Sequence, residues 1–349
     1  MFAFFCRYSK HGVRLSPPNC MSDLVKPPAL KKGDVVGILC PSSPPSDPEM
    51  IERCVKALKS LGYRPRTGGN VANRNGFLAG SDADRLDDLH SMFRDPEVRA
   101  VFCVRGGYGL TRILNSMDFD LIQSQPKIFI GFSDVTALHC AVSRYSDLMT
   151  FHGPTLAEYF VEQGTDSDSV RFCLDMLSGD CNGFSLKEYF PSSCPISYRK
   201  GKVEAPLVGG NLCVLTHLIG TRFQPEVSGK ILFFEEVHEV PYRLDRMLTQ
   251  WLDTGFLDGV AGIAVGELHR CRDPLSGETE EYRQTAMEVF EERLSGLNIP
   301  IVFNLPFGHG KRNATLPVGG RAVLDGDQGD LYVASPELPS GSISIGQSR

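Results

Sequence analysis

A strand that runs straight into a glycine, a serine and a helix constrains this chain more than any other feature. Lys127-Ile-Phe-Ile-Gly131 has strand character, Gly131-Phe-Ser-Asp134 reads as a turn, and Val135, Leu138 and Val142 recur at helical spacing just beyond it. Strand, turn and helix in that order call for a sheet with a helix packed back upon it. They also lift the serine oxygen above the sheet edge, where the N–H groups opening the helix face a developing oxyanion. Ser133 and Asp134 are equally good helix caps. The full Gly-x-Ser-x-Gly elbow is absent because Val135 stands at its last glycine, so on this segment alone capping is the favoured reading.

A second segment changes the balance. Residues 100–104 read as a buried strand, and Arg105-Gly-Gly-Tyr-Gly109 follows it. Gly106, Gly107 and Gly109 remove the side chains that would keep a ligand from the backbone. The loop is not a nucleotide fingerprint: Arg112 stands where the third glycine of the dinucleotide motif belongs, and no Gly-Lys pair is present.

The order of elements points to an α/β fold. A strand over 34–39, a helix over 48–61, a second helix from near Ser81, then the glycine-loop and serine strands predict a mainly parallel sheet with helices on both sides. Such sheets build their sites after strand C-termini, where Gly107 and Ser133 both fall. Strands near Leu232, Ile263 and Val302 alternate with helices over 243–252 and 280–294. The expected division is a leader or extension over 1–24, a nucleophile domain over 25–165, a linker or substrate-facing loop over 166–200, a C-terminal domain over 201–340 and a tail over 341–349. At 349 residues the chain is long enough for each domain to bury its own core.

With these segments in view, the chain resembles the LD-carboxypeptidase family of serine peptidases, which includes murein tetrapeptide carboxypeptidases and microcin C immunity hydrolases. The resemblance runs from about Lys31 to Asp325. It rests on Gly37-Ile-Leu-Cys-Pro-Ser-Ser43, Phe77-Leu-Ala-Gly-Ser-Asp-Ala-Asp-Arg-Leu86, the glycine loop, Gly131-Phe-Ser-Asp134 and Phe151-His-Gly-Pro154. It continues through Gly209-Gly-Asn-Leu212, Leu232-Phe-Phe-Glu-Glu236, Tyr242-Arg-Leu-Asp-Arg246, Gly308-His-Gly310 and Leu316-Pro-Val-Gly319. It implies an α/β nucleophile domain joined to a smaller β-rich C-terminal domain, often as a homodimer, with the site between the two.

The resemblance also implies roles. Ser133 becomes the nucleophile, His309 the general base and Glu235 the carboxylate that orients it, with the N–H groups of Gly107 and Asp134 as the oxyanion hole. Apart from the family roles, Arg105 beside the glycine loop is a candidate cation for the carboxylate of a D-residue, although an arginine at a strand end is more often a surface charge. Asn211 is a further candidate substrate-binding residue. Family members commonly carry Glu-Asp where this chain has Glu235-Glu236, so the orienting carboxylate is open to a shift of one position; strand alternation should turn only one of the two to the cleft. Chemically the set is coherent, since a serine hydroxyl needs an imidazole to take its proton and the imidazole needs a carboxylate to fix its tautomer. Taken singly, a glutamate at a strand end is usually solvated and a lone histidine structural. Without the resemblance His152, His217 and His238 compete with His309, while His90 and His139 lie on packed helices.

Composition narrows the partners. The net charge of −6 and the dispersed basic residues leave no footprint for nucleic acid or an anionic membrane surface. No run of residues reaches the ~18 apolar positions of a spanning helix. The 11 cysteines are odd in number and form no Cys-x-x-Cys; Cys54, Cys103 and Cys213 sit in apolar segments and read as reduced core residues. Neither metal nor cofactor is expected. Residues 1–22 carry Arg7, Lys10 and Arg14 with no acidic residue, which fits a transit peptide for a plastid or mitochondrion as well as an unaddressed extension. The resemblance otherwise implies a cytoplasmic enzyme.

The expected reaction is hydrolysis of the L,D-amide bond at the C-terminus of a small peptide of murein type, releasing D-alanine. An amidase acting on microcin C-like aminoacyl or peptidyl nucleotides is the alternative, and a non-catalytic ligand-binding α/β protein is the rival of another class. A nucleotide needs an aromatic platform. Trp251 reads as core, whereas Phe184, Tyr189, Phe190 and Tyr198 in the 178–200 stretch leave such a platform open.

Overall fold

The computed structural model describes residues 24–179, 183–272 and 284–335. Strands β1 (Val35–Leu39), β2 (Arg64–Thr67), β3 (Val98–Cys103), β4 (Ile128–Gly131) and β5 (Thr150–His152) lie in the first part of the chain. Then come β6 (Gly183–Ser185), β7 (Ile196–Arg199), β8 (Lys202–Asn211), β9 (Ile231–Val237), β10 (Gly262–His269), β11 (Ile301–Phe303), β12 (Leu316–Val318), β13 (Arg321–Asp325) and β14 (Asp330–Ala334). They form a six-stranded sheet in the order β12-β5-β4-β3-β1-β2 and an eight-stranded sheet in the order β6-β14-β13-β8-β9-β10-β11-β7. All neighbours in the first sheet are parallel except β12, which runs antiparallel to β5. The second sheet has a parallel centre, β8 to β11, with antiparallel strands on both flanks.

The expected parallel sheet with flanking helices and a second strand-rich sheet is therefore present, and local chemistry explains its elements. Helix Met50–Ser60 buries Met50, Cys54 and Leu58 at helical spacing. Helix Asp82–Arg94 starts at Ser81, whose side chain accepts from Asp84 N–H while the Asp84 carboxylate accepts from Ser81 N–H, a reciprocal cap. Cys54 and Cys103 are buried, whereas Cys213 is half-buried.

Three expectations are corrected. The 166–200 stretch, expected as a linker or substrate-facing loop, contains helix Asp168–Ser178, edge strands β6 and β7 of the second sheet, and a short helix Leu186–Tyr189. The two sheets do not bury separate cores. Phe102, Ile130 and Phe233 share one apolar cluster, Val101, Phe129 and Phe234 share the other, and β12 from late in the chain completes the first sheet. Alternating strand faces send consecutive residues to opposite clusters, so both sheets are laminated into both cores. The late helix starts at Ala286, capped by Thr285, rather than near Glu280, which lies outside the described residues. The expected leader and tail lie outside them too, except for Leu24, which packs on the core. Among the described residues no helix is long and apolar enough to cross a membrane.

Candidate active site

Both sheets present the C-terminal ends of their parallel strands to one region. Ser133 follows β4, the glycine loop follows β3, and Ser42 and Ser43 follow β1. From the second sheet come Asn211 at the end of β8, Glu235 in β9 and His309 beyond β11. This is where α/β sheets collect ligands.

Ser133 has φ of 66°, in the left-handed region that a residue with a Cβ adopts at a cost. The capping reading fails here: neither Ser133 nor Asp134 caps the helix Thr136–Tyr145. The buried Asp134 carboxylate instead accepts from Ser42 Oγ at 2.6 Å and from Leu110 N–H at 2.9 Å, tying the serine turn to the β1 loop and the glycine loop. Burial raises its pKa despite those bonds. Gly106 lies so close that a Cβ there would sit 2.7 Å from Ser133 Cβ. Gly107 has φ of 115°, and its N–H donates to no protein acceptor among the described residues.

His309 Nδ1 lies 2.5 Å from Glu235 Oε2. Glu235 is wholly buried. Burial by itself would lower the His309 pKa, but the charge and hydrogen bond of Glu235 outweigh it and hold the imidazole above its ordinary value. Burial likewise pushes Glu235 up, and the His309 charge reverses that and holds the carboxylate low. The two directions agree on an ion pair. Phe132, the residue before the serine, packs its ring 4.6 Å from the imidazole centroid. Ser133 Oγ makes no hydrogen bond to His309 among the described residues, and the ring of Phe132 contacts the histidine from the turn.

Strand alternation does not separate the two glutamates as expected. Both are buried, and Asn211 Nδ2 donates to Glu236 Oε1 at 3.0 Å and to Glu235 Oε1 at 3.3 Å. Their partners separate them. Glu235 takes the histidine, whereas Glu236 accepts from the N–H groups of Cys213 and Val237, each at 2.8 Å. Burial and the neighbouring Glu235 charge push Glu236 up to about 7.

Asn211 differs from the expectation of a substrate contact. Its Oδ1 accepts from Val214 N–H, its own N–H donates to Thr136 Oγ1, and its amide is shared between the carboxylates, so its polar groups are used inside the protein. Arg105 is half-buried, 3.4 Å from Pro44 O, and has no carboxylate partner among the described residues. The aromatic residues of the 178–200 stretch are consumed. Phe184, Tyr189 and Phe190 cluster around Phe172, and Tyr198 packs on Phe303 with its hydroxyl on Glu291 O. Trp251 is buried, as its helix suggested, and donates to Thr216 Oγ1. Among the rival histidines, His139 is spent on Thr150 and Gly131, and His152 is buried among rings.

Sequence reasoning missed two groups. Ser42 lay inside a quoted motif, but its bond to Asp134 spans 92 positions. Tyr159 carried no signal of its own, yet its hydroxyl reaches the carbonyls on both sides of His309.

A strained serine turn, a glycine loop and a part-buried imidazole on a buried carboxylate, gathered between two sheets of an α/β protein, are the parts that a serine peptidase uses. The family comparison agrees. Residues 36–153 match the LD-carboxypeptidase N-terminal domain and 204–324 match the LD-carboxypeptidase C-terminal domain. The chain belongs to the LD-carboxypeptidase family. It is 38% identical over 302 residues to a probable murein peptide carboxypeptidase of Bacillus subtilis, covering 86% of this chain and 91% of that one. It is 26% identical over 335 residues to the microcin C7 self-immunity protein of Escherichia coli, covering 88% and 95%. The crystal structure of a muramoyltetrapeptide carboxypeptidase from Oxalobacter formigenes superposes with a TM-score of 0.73 at 29% identity, covering 86% and 97%.

Proposed function

We propose that the protein is a serine LD-carboxypeptidase in which Ser133 attacks, His309 serves as general base and Glu235 orients it. The observation that carries this reading is the 2.5 Å bond between His309 and the buried Glu235, beside a serine held in a strained turn. With Nδ1–H donated to Glu235, Nε2 keeps the lone pair that takes the serine proton. Oγ then bonds to the scissile carbonyl carbon, and the oxyanion is received by the N–H groups of Gly107 and Asp134. The imidazolium returns its proton to the leaving amine as the C–N bond breaks. Water, deprotonated by the same imidazole, hydrolyses the acyl-enzyme.

The substrate in this reading is a murein-type tetrapeptide. Arg105 has no carboxylate partner of its own among the described residues, which supports it as the cation for the C-terminal carboxylate of the D-residue. The occupied aromatic residues of the 178–200 stretch weigh against a nucleotide platform there. The same reading takes the enzyme as a cytoplasmic homodimer. Incubation with a tetrapeptide ending in D-alanine should release D-alanine, with little action on the all-L peptide. Rapid cleavage of an aminoacyl-sulfamoyl adenosine with the tetrapeptide untouched would replace this reading by the amidase. Absence of both hydrolysis and fluorophosphonate labelling would leave a binding protein.

The glycine loop gives a separate test. A Cβ on Gly107 would meet Ser43 Oγ at 2.3 Å, on a backbone already at φ of 115°. Gly107→Ala should therefore displace the loop N–H and lower kcat by about a hundredfold, the scale of one lost oxyanion donor. Its melting temperature should fall by only a few degrees. Full turnover in the folded variant would remove the loop from the mechanism.

A further inference from the structure

His309 sits between two glycines, Gly308, with φ of 108°, and Gly310. Both positions are closed to a side chain: a Cβ on Gly308 would lie 2.7 Å from Glu235 Cβ, and one on Gly310 would lie 1.5 Å from Glu267 Oε2. Close approach to the two carboxylates thus demands glycine on either side of the histidine, and glycine leaves the backbone free to wander.

Gly308 N–H donates to Asn313 Oδ1 at 3.2 Å, and a buried hydroxyl ties down the carbonyls. Tyr159 Oη lies 2.8 Å from Gly308 O and 2.9 Å from Gly310 O, so its one proton is shared between the carbonyls that bracket His309. Tyr159 is 2% exposed, and burial pushes its pKa far up, so the hydroxyl stays protonated and donating. It projects from Leu156–Glu162, a seven-residue π-helical segment, a geometry that is rare and frequent at functional sites. That segment is itself anchored to the glycine-loop strand, since Ala157 N–H donates to Val104 O at 2.9 Å. Phe132 fills the space between, 5.9 Å from the Tyr159 ring and 4.6 Å from the imidazole.

We infer that Tyr159 is a positioning residue for the general base: its hydroxyl clamps the Gly308-His309-Gly310 backbone and registers the imidazole against Glu235 and the serine turn. The inference rests on His309 acting as the base. Charged and titratable groups facing His309 are Glu235 and Glu236 from β9, Glu158 from the π-helical segment, His152 from β5 and His269 from β10. Among these only Glu235 bonds the ring, so loosening the clamp acts first on that bond.

Tyr159→Phe removes the hydroxyl and keeps the ring. It should lower kcat about tenfold with KM within about twofold, the signature of a misplaced catalytic group rather than lost substrate binding. The midpoint of the His309 titration, followed by NMR on histidine-labelled protein, should move down toward the ordinary imidazole value as the Glu235 bond weakens. Tyr189→Phe is the control, because it deletes a hydroxyl bonded to exposed Asp175 and should leave kcat and the titration unchanged. A Tyr159→Phe protein with an unshifted His309 titration overturns the inference, whatever its melting temperature. The titration needs no turnover, so it stays decisive even if His309→Ala proves as active as the wild type, the result that would sink the base assignment instead.

Discussion

Ser133→Ala is expected to lose on the order of a thousandfold or more in hydrolysis of the D-alanine tetrapeptide, because only binding and the oxyanion donors remain once the nucleophile is gone. Its stability should barely change, since alanine inherits the same φ of 66°. Ser133→Gly sharpens the test. Glycine adopts that backbone without the Cβ penalty, so this variant should be as inactive as alanine yet more stable by roughly 0.5–1 kcal/mol. Activity and stability then move in opposite directions at one residue, as expected where strain is kept for function. A structural cap predicts the reverse: alanine would cost about 1 kcal/mol and spare turnover. Melting curves and D-alanine release on the two variants distinguish these outcomes.

The second large effect is expected at Glu235. Glu235→Gln removes the charge that holds the imidazole tautomer, and a fall of about 10³–10⁴ in kcat is the scale for such a loss in a triad. The pH profile supplies a signed check. His309 must be neutral to accept the serine proton, and its pKa lies above the ordinary 6.5, so kcat/KM should rise with pH through a midpoint above that value. In Glu235→Gln burial is opposed only by the charges of Glu158 and Glu236, and the midpoint should fall. The linked stability runs the other way. The His309 contribution is full below the unfolded imidazole pKa and is lost as pH rises through the folded one, while the Glu235 contribution is lost as pH falls through its lowered value.

Glu236→Gln should behave differently. Three N–H donors, from Asn211, Cys213 and Val237, converge on that carboxylate. A glutamine amide would turn one donor against another, at a cost of about 1–3 kcal/mol at about pH 8, where the carboxylate is ionised. Hydrolysis by the folded protein should fall less than tenfold. The opposite ranking of the two variants would move the orienting role to Glu236, and two small effects would remove the carboxylate from the mechanism.

Local chemistry was legible in the sequence wherever a short segment determines its own structure. The serine turn, the glycine loop, the helix start near Ser81 and the burial of Trp251 each depend on residues within a few positions of one another, and each was readable from spacing and residue type. The capping alternative could not be dismissed on those terms, because what excludes it is that neither side chain bonds the N–H groups opening the helix, Asp134 engaging Ser42 and Leu110 on two other loops instead. The pairing of Glu235 with His309, 74 positions apart, became an expectation only through family resemblance. Nothing in the intervening sequence specifies it.

Other features belonged to the tertiary structure alone. The 166–200 stretch is rich in small and turn-forming residues, yet it supplies edge strands to the second sheet because β11 and β14 offer unpaired edges there. Asn211 has the look of a ligand contact in sequence and becomes an internal bridge because β8 pairs with β9 at Asn211 and Glu235. Tyr159 has no motif, and its role appears only once the His309 loop folds over it. Periodicity and turn chemistry are properties of neighbours in the chain, and the sequence by itself determines them. Which strand edges meet, and which buried donor finds which acceptor, is decided by packing two sheets into two shared cores.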